Sequence, residues 1–276
     1  MSTRRRRRRR RGGSDLGLRL LAAVPAVAYA IFIIVAGGWI FAAGALLLGL
    51  VCLHELFRMY ESHRPVRLAG FLGIAGLAVA ALEGGERQVL LALVAFVPLL
   101  FLLALAVPRR DGVTMTDGMA ITVLGVVWVG MAIAHAVLLR ETTHGDGIIV
   151  DVLVGTFLGD SGAYFGGRWF GTRPLAPRIS PNKTVEGLVI GFLTAVIFTW
   201  AAGLYQDWLT HGQALILGAA VGAAAPLGDL FESAVKRDAG TKDAGRLFGA
   251  HGGALDRLDA AFFTLVTGYY VWLVLM

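Results

Sequence analysis

Apolar residues run through this chain in blocks separated by short polar stretches, and the blocks have the length, about 20 residues, that carries a helix across bilayer hydrocarbon. Those at 18–36, 39–57, 68–82, 89–107, 118–139, 147–166, 185–205, 213–235 and 258–276 predict about nine transmembrane helices. The third is short and predicts a tilted or partly inserted helix. The expected fold is an all-α, polytopic integral membrane protein. An arginine-rich start followed by "AYA" at 28–30 resembles a signal-peptide cleavage region, but the apolar run continues through Ile34 and many more follow. The first block therefore reads as a retained helix.

Composition agrees: 57% of the residues are hydrophobic and only 16% charged, which excludes an ordinary soluble domain. The single cysteine, Cys52, lies within an apolar run and has no disulfide partner in the chain, so it reads as a small packing residue. Net charge is +6, but residues 4–11 are eight consecutive arginines, and +6 − 8 leaves −2 for the rest. The basic excess is a tail, suited to the anionic cytoplasmic leaflet. No aromatic or structured element interleaves the run, so no nucleic-acid partner is expected.

With the tail cytoplasmic, alternate loops should carry the lysines and arginines. One side holds Arg58, Arg64, Arg67, Arg109, Arg110, Arg168, Arg173, Arg178, Lys183, Lys236, Arg237, Lys242, Arg246 and Arg257, whereas the other holds Arg87 and Arg140. The N-terminus is therefore expected in the cytoplasm and, after nine spans, the C-terminus outside. Three regions follow: a disordered Arg-rich cytoplasmic tail at 1–15, a transmembrane scaffold at 16–140, and a catalytic transmembrane part at 141–276 that carries polar loops at 167–184 and 236–257. Abundant alanine, glycine and arginine suggest a GC-rich bacterium, and hence a multi-pass plasma-membrane protein whose active site faces the cytoplasm.

The candidate chemistry lies in the last four spans. Asp160, Asp229 and the pair Asp256 and Asp259 fall near the same end of three of them, and Lys183 and Glu186 open the fourth. Ionised side chains within spans are expensive and usually serve function or pair. Asp151, nearer the other end, reads as interfacial. Asp256 and Asp259 are one helical turn apart; charges about 5–6 Å apart repel by roughly 3 kcal/mol at an effective dielectric near 20. The helix dipole favours acids at an N-terminus, which is one explanation of the pair. A bound cation is the other, and oxygen-only ligands beside phosphate suggest Mg²⁺.

The stretch "APLGDLFESAVKR" places Asp229, Ser233 and Lys236 on one helical face, with Pro226 and Gly228 predicted to loosen the helix ahead of them. "RISPNKTVEG" sets Ser180 and Lys183 before a helix whose free N–H groups suit an anion, with Thr184 or Asn182 as its cap. "KRDAGTKDAGRLFGAHGG" interleaves bases with glycines that let backbone approach phosphate. Gly155, Gly159, Ala163 and Gly167 form a small-residue stripe expected to pack helices closely.

From Ser233 to Asp259 the residues Ser233, Lys236, Arg237, Lys242, Asp243, His251, Gly252, Gly253, Asp256, Arg257 and Asp259 fall in register with a signature. It closely resembles that of the phosphatidate cytidylyltransferases, or CDP-diacylglycerol synthases. "GDSGAYFGGRWFG" and "SPNKTVEG" also look like segments of that family; Ala254 departs from it, standing where a larger aliphatic residue is usual. The resemblance implies transfer of a cytidylyl group from CTP to phosphatidate, giving CDP-diacylglycerol and pyrophosphate. It further implies Mg²⁺ with a second cation, K⁺ being the candidate. It casts Asp229 and Asp256 as metal ligands; the convergence of acids adds Asp160 and Asp259 as further candidates. Ser180, Lys183, Lys236, Arg237 and Lys242 become phosphate or nucleotide contacts, and Asp229, Asp256 and Lys236 the catalytic group. Ser233, Asp243, His251, Gly252, Gly253 and Arg257 are expected to line the substrate site. The lipid bilayer is the expected surrounding, and a homodimer is left open.

Two other classes compete. An ion-coupled transporter also uses acids and glycine-broken helices, but predicts mid-membrane acids and repeats across the halves. A non-catalytic scaffold leaves the glycine-rich loop unexplained. Among enzymes, a CDP-alcohol phosphotransferase would need a several-aspartate helical motif that the chain lacks.

Overall fold

The computed structural model describes residues 12–108, 112–245 and 252–276, with side chains described from residue 24 onward. The arginine run at 4–11, Arg109, Arg110, Arg246 and His251 lie outside the described residues. The helices are α1 Gly12–Ala36, α2 Gly38–Met59, α3 Arg67–Gly84 and α4 Glu86–Leu105, followed by α5 Met115–Gly125 and α6 Met131–Glu141. After these come α7 Gly145–Phe170, α8 Val185–Ala202, α9 His211–Asp238 and α10 Leu255–Leu275. A π-helical turn, Val126–Gly130, joins α5 and α6, so Met115–Glu141 is one span.

Among the described residues, eight helical segments are long and apolar enough to cross a membrane, and α1 contributes a shorter apolar run at Val24–Ala36. The protein is an all-α, polytopic membrane protein. Large apolar side chains stay on the outside, as Leu90, Val94, Val97, Phe101 and Leu105 do along α4. Intrahelical hydrogen bonding satisfies the backbone where lipid offers no partner. The third apolar block, expected to be short, makes a full 18-residue helix. Helix α1 starts at Gly12, so residues 12–15, expected in the tail, are helical.

The small-residue stripe works as expected, and α8 carries its counterpart. A Cβ at Gly191 would stand 2.7 Å from the Ala163 Cβ, one at Gly187 would stand 2.7 Å from the Ala163 carbonyl oxygen, and one at Gly155 would collide with the Thr199 hydroxyl. Helices α7 and α8 can approach this closely only because those positions lack side chains. Helix α9 packs on α8 and α10, and α10 also touches α2, α6 and α7. Across that junction the Thr156 hydroxyl donates to the Thr264 hydroxyl at 2.8 Å.

Two local expectations are corrected. The 167–184 stretch is not simply a loop: after α7 it forms an antiparallel hairpin of β1 Pro174–Ala176 and β2 Ser180–Thr184. Pro226 and Gly228 do not open α9, which runs unbroken from His211 to Asp238. Gly228 serves another purpose, since a Cβ there would stand 2.5 Å from the Asp259 carbonyl oxygen. Its missing side chain lets α9 and α10 meet backbone to backbone. Cys52 is a fully buried free thiol.

Candidate active site

The junction of α9 and α10 brings two carboxylate pairs together at one end of the helices. Asp229 and Glu232 are one turn apart on α9, as are Asp256 and Asp259 on α10. Because the helices are antiparallel, Asp259 comes within hydrogen-bonding reach of Asp229, and Asp256 interacts with Glu232. Asp160 of α7 lies within electrostatic range of Asp229 and Lys183. From β2, the Lys183 ammonium forms a 2.6 Å ion pair with the Asp229 carboxylate. Asp160, Asp229 and Asp259 thus stand near one another with Lys183, and Asp256 lies one turn from Asp259.

Glu186 is elsewhere. It accepts hydrogen bonds from the Thr172 N–H at 3.0 Å, the Thr172 hydroxyl at 2.7 Å and the Arg173 N–H at 3.2 Å, and so latches the base of the hairpin. Thr184, one of the two expected caps, receives the Gly187 N–H at 3.1 Å, and the Val185 N–H donates to the Arg173 carbonyl at 2.9 Å. These first-turn amides of α8, expected to receive an anion, are therefore occupied within the protein.

The start of α10 is filled in the same way. Asp256 Oδ2 accepts the Gly253 N–H at 2.7 Å and the Ala244 N–H at 3.0 Å, while Oδ1 accepts from Lys236 at 2.7 Å. Lys236 also contacts Glu232, four residues back on α9. Glu55, from α2, accepts the Leu255 N–H at 2.9 Å. Two carboxylates thus meet the positive end of the α10 dipole, where anions are favoured. The glycines follow from this crowding. Gly252 has φ 83°, in the left-handed region that disfavours side chains, and a Cβ there would stand 2.6 Å from Asp256 Oδ2; at Gly245 or Gly253 a Cβ would collide with the Glu55 carboxylate.

Glu55 and Glu232 were not among the candidate residues. Both are buried, at 5% and 1% relative exposure, and an ionisable residue within an apolar span was the available signal. Asp151, near the other end of α7, is fully buried within the protein, and its Oδ1 accepts from the Gln206 amide at 3.0 Å.

The remaining candidates differ in exposure. Ser180 is half-buried on β2 and Ser233 half-buried on α9, whereas Arg237, Lys242, Asp243 and Arg257 are exposed. Arg237 Nε donates to the Ile179 carbonyl at 3.2 Å, tying α9 to the hairpin. The end of α9 is closed by paired turns in which the Gly240 N–H donates to the Arg237 carbonyl and the Thr241 N–H to that of Lys236, with Gly240 at φ 69°.

Among the described residues, no three acidic, histidine or cysteine side chains converge tightly enough to hold a metal ion by themselves. Mg²⁺ does not need three, since one or two carboxylates suffice when substrate phosphate and water complete its shell. The buried Glu232 Oε1 has no hydrogen-bond partner, and it stands in a group of hard oxygen donors. That donor set fits a divalent cation.

The model of the Cytidylyltransferase family matches residues 17–275. The chain is 32% identical to the phosphatidate cytidylyltransferase of Bacillus subtilis (strain 168) over 270 residues, 93% of this chain and 97% of that protein. It is 31% identical to the phosphatidate cytidylyltransferase of Staphylococcus aureus (strain COL) over 256 residues, 90% of this chain and 95% of that one. The same figures hold for that of Staphylococcus epidermidis (strain ATCC 12228 / FDA PCI 1200). Matched over nearly its whole length, this membrane-embedded chain belongs to the cytidylyltransferase family and is a nucleotidyltransferase.

Proposed function

We propose that the chain transfers the cytidylyl group of CTP to phosphatidate, forming CDP-diacylglycerol and pyrophosphate at the cytoplasmic face of a bacterial plasma membrane, with Mg²⁺ bound. The observation that carries this reading is the pairing of Lys183 with Asp229 and of Lys236 with Asp256 at one end of the helices. It combines groups for cations and groups for phosphates where a membrane lipid and a soluble nucleotide can meet. The names of the relatives support the choice of lipid substrate.

In this mechanism a phosphate oxygen of phosphatidate attacks the α-phosphorus of CTP in line, the bond to the β-phosphate breaks, and pyrophosphate leaves. A phosphate monoester has a second pKa near ~6 and is already largely a dianion at neutral pH, so no side chain need remove a proton. The protein's work is to hold two polyanions in register and offset their charge. Asp229 and Asp256 would hold the divalent ion, with Asp160 and Asp259 beside them. When bound, Mg²⁺ supplies charge neutralisation and polarises the α-phosphoryl group. Ser180, Lys183, Lys236, Arg237 and Lys242 bind the phosphates, and the acyl chains stay in the lipid.

The test is direct. Purified full-length protein in detergent, given radiolabelled CTP, phosphatidate and Mg²⁺, should form labelled lipid and an equal amount of pyrophosphate. No labelled lipid under these conditions would overturn the assignment. For the membrane face, Lys242→Cys in a Cys52→Ser background should react with an impermeant maleimide in inverted vesicles and not in intact cells; the reverse pattern rejects the orientation.

A further inference from the structure

Lys236 is half-buried and held on two sides. Its ammonium contacts the Glu232 carboxylate on α9 and stands 2.7 Å from Asp256 Oδ1 on α10. The two acids depend on it unequally. Asp256 also accepts N–H groups from Ala244 and Gly253. Glu232 is 1% exposed, its Oε1 has no hydrogen-bond partner, and its Oε2 faces Lys236. If Lys236 swung out to a substrate phosphate, Glu232 would be left as a buried carboxylate without its cation, an arrangement heavily penalised in a low-dielectric site. Release of Lys236 to the phosphates therefore requires that a proton or another cation take its place at Glu232.

We infer that Glu232 and Asp256 form a divalent-cation position which the Lys236 ammonium fills in the absence of metal, and that metal entry releases Lys236 toward the substrate phosphates. This rests on the metal-assisted reading proposed above, sets Glu232 in place of Asp229 beside Asp256 for the ion that enters first, and adds an order of events, cation first and lysine second. A carboxylate pair with water and phosphate oxygens matches the coordination habits of Mg²⁺. Exchange of one cation for another keeps the charge of the buried pair compensated throughout.

The inference makes an unusual demand: removing a residue assigned to the active site should improve metal binding. Mn²⁺ is the probe, its free signal followed by electron paramagnetic resonance, on full-length protein in detergent without CTP or lipid. Lys236→Met should bind Mn²⁺ at least about tenfold more tightly than wild type, because a positive charge adjoining the site is gone. Adding Glu232→Gln should abolish that gain. In wild-type protein, Mn²⁺ should also speed acylation of the Lys236 amine, read by mass spectrometry, and this measurement does not depend on any variant folding. A Lys236→Met protein that binds no tighter, a double variant that keeps the gain, or Lys236 reactivity unmoved by Mn²⁺ each overturns the inference. Since no substrate is present, these results stand apart from the cytidylyl-transfer assay. Labelled lipid without the Mn²⁺ pattern removes the exchange and leaves the function, and the Mn²⁺ pattern without labelled lipid does the reverse.

Discussion

Gly228 of α9 lies against Asp259 of α10 so closely that a Cβ at 228 would stand 2.5 Å from the Asp259 carbonyl oxygen and 3.0 Å from the Ala260 Cα. Both neighbours are backbone atoms, so no rotamer change relieves the contact. This closeness sets Asp229 opposite Asp259 and Glu232 near Asp256. Gly228→Ala should force the helices apart and cost about 1–3 kcal/mol, the usual range for overpacking. It should lower both the midpoint of thermal unfolding in detergent and the turnover. An unchanged midpoint with full activity would show that the helices tolerate a wider spacing and that their contact does not set the site.

Asp256→Asn preserves size and removes the charge that holds Lys236 and receives two backbone N–H groups. One of its two polar atoms becomes a donor facing other donors. Turnover should fall by at least about 100-fold, the scale of losing one preorganised electrostatic group in an active site, while the protein remains inserted and elutes as wild type in size exclusion. Full activity at ordinary Mg²⁺ would reject the assignment of Asp256 to the metal.

The spans were legible because bilayer thickness imposes a length and the apolar blocks meet it, and the observed helices track those blocks closely. Asp160, Asp229, Asp256 and Asp259 were legible because charge within apolar blocks is rare enough to notice. What escaped was what depends on distant partners. Glu55 and Leu255 are 200 positions apart, and no local pattern in α2 announces that its acid will meet the start of α10. Glu232 sits beside Lys236 at helical spacing, which reads from sequence as an ordinary ion pair. The hairpin was missed because Ser180–Thr184 contains a proline and lacks the apolar alternation of a strand. At the start of α8 the Val185 N–H looked free because its acceptor, the Arg173 carbonyl, comes from another segment.

Glu55→Ala tests the reach of the first half of the chain into this site. It removes the acceptor for the buried Leu255 N–H and the carboxylate against which Gly245 and Gly253 pack. An unsatisfied buried donor costs about 1–3 kcal/mol, so the thermal midpoint should fall. Turnover should fall with it, because Gly253 donates to Asp256. Normal turnover in a protein with a lowered midpoint would confine Glu55 to a stabilising contact.

Asp151 supplies the contrast that makes the site acids meaningful. It is more deeply buried than Asp160, Asp229 or Asp256, yet it lies toward the other end of α7, and it accepts a hydrogen bond from the Gln206 amide. Its Oδ2 and the Gln206 Oε1 are both buried without partners. Asp151→Asn should therefore be neutral or stabilising, since it removes the possibility of an uncompensated buried charge and introduces a donor among unpaired acceptors. Asp151→Leu leaves the Gln206 amide unpaired and should cost about 1–3 kcal/mol. Both variants should keep turnover within about twofold, as expected for changes remote from the reacting groups. The measurement is paired thermal unfolding and labelled-lipid formation on the same preparations. If Asp151→Asn folds normally and yet loses turnover as Asp256→Asn does, the acids of this chain do not divide into a site at one end and a structural contact at the other.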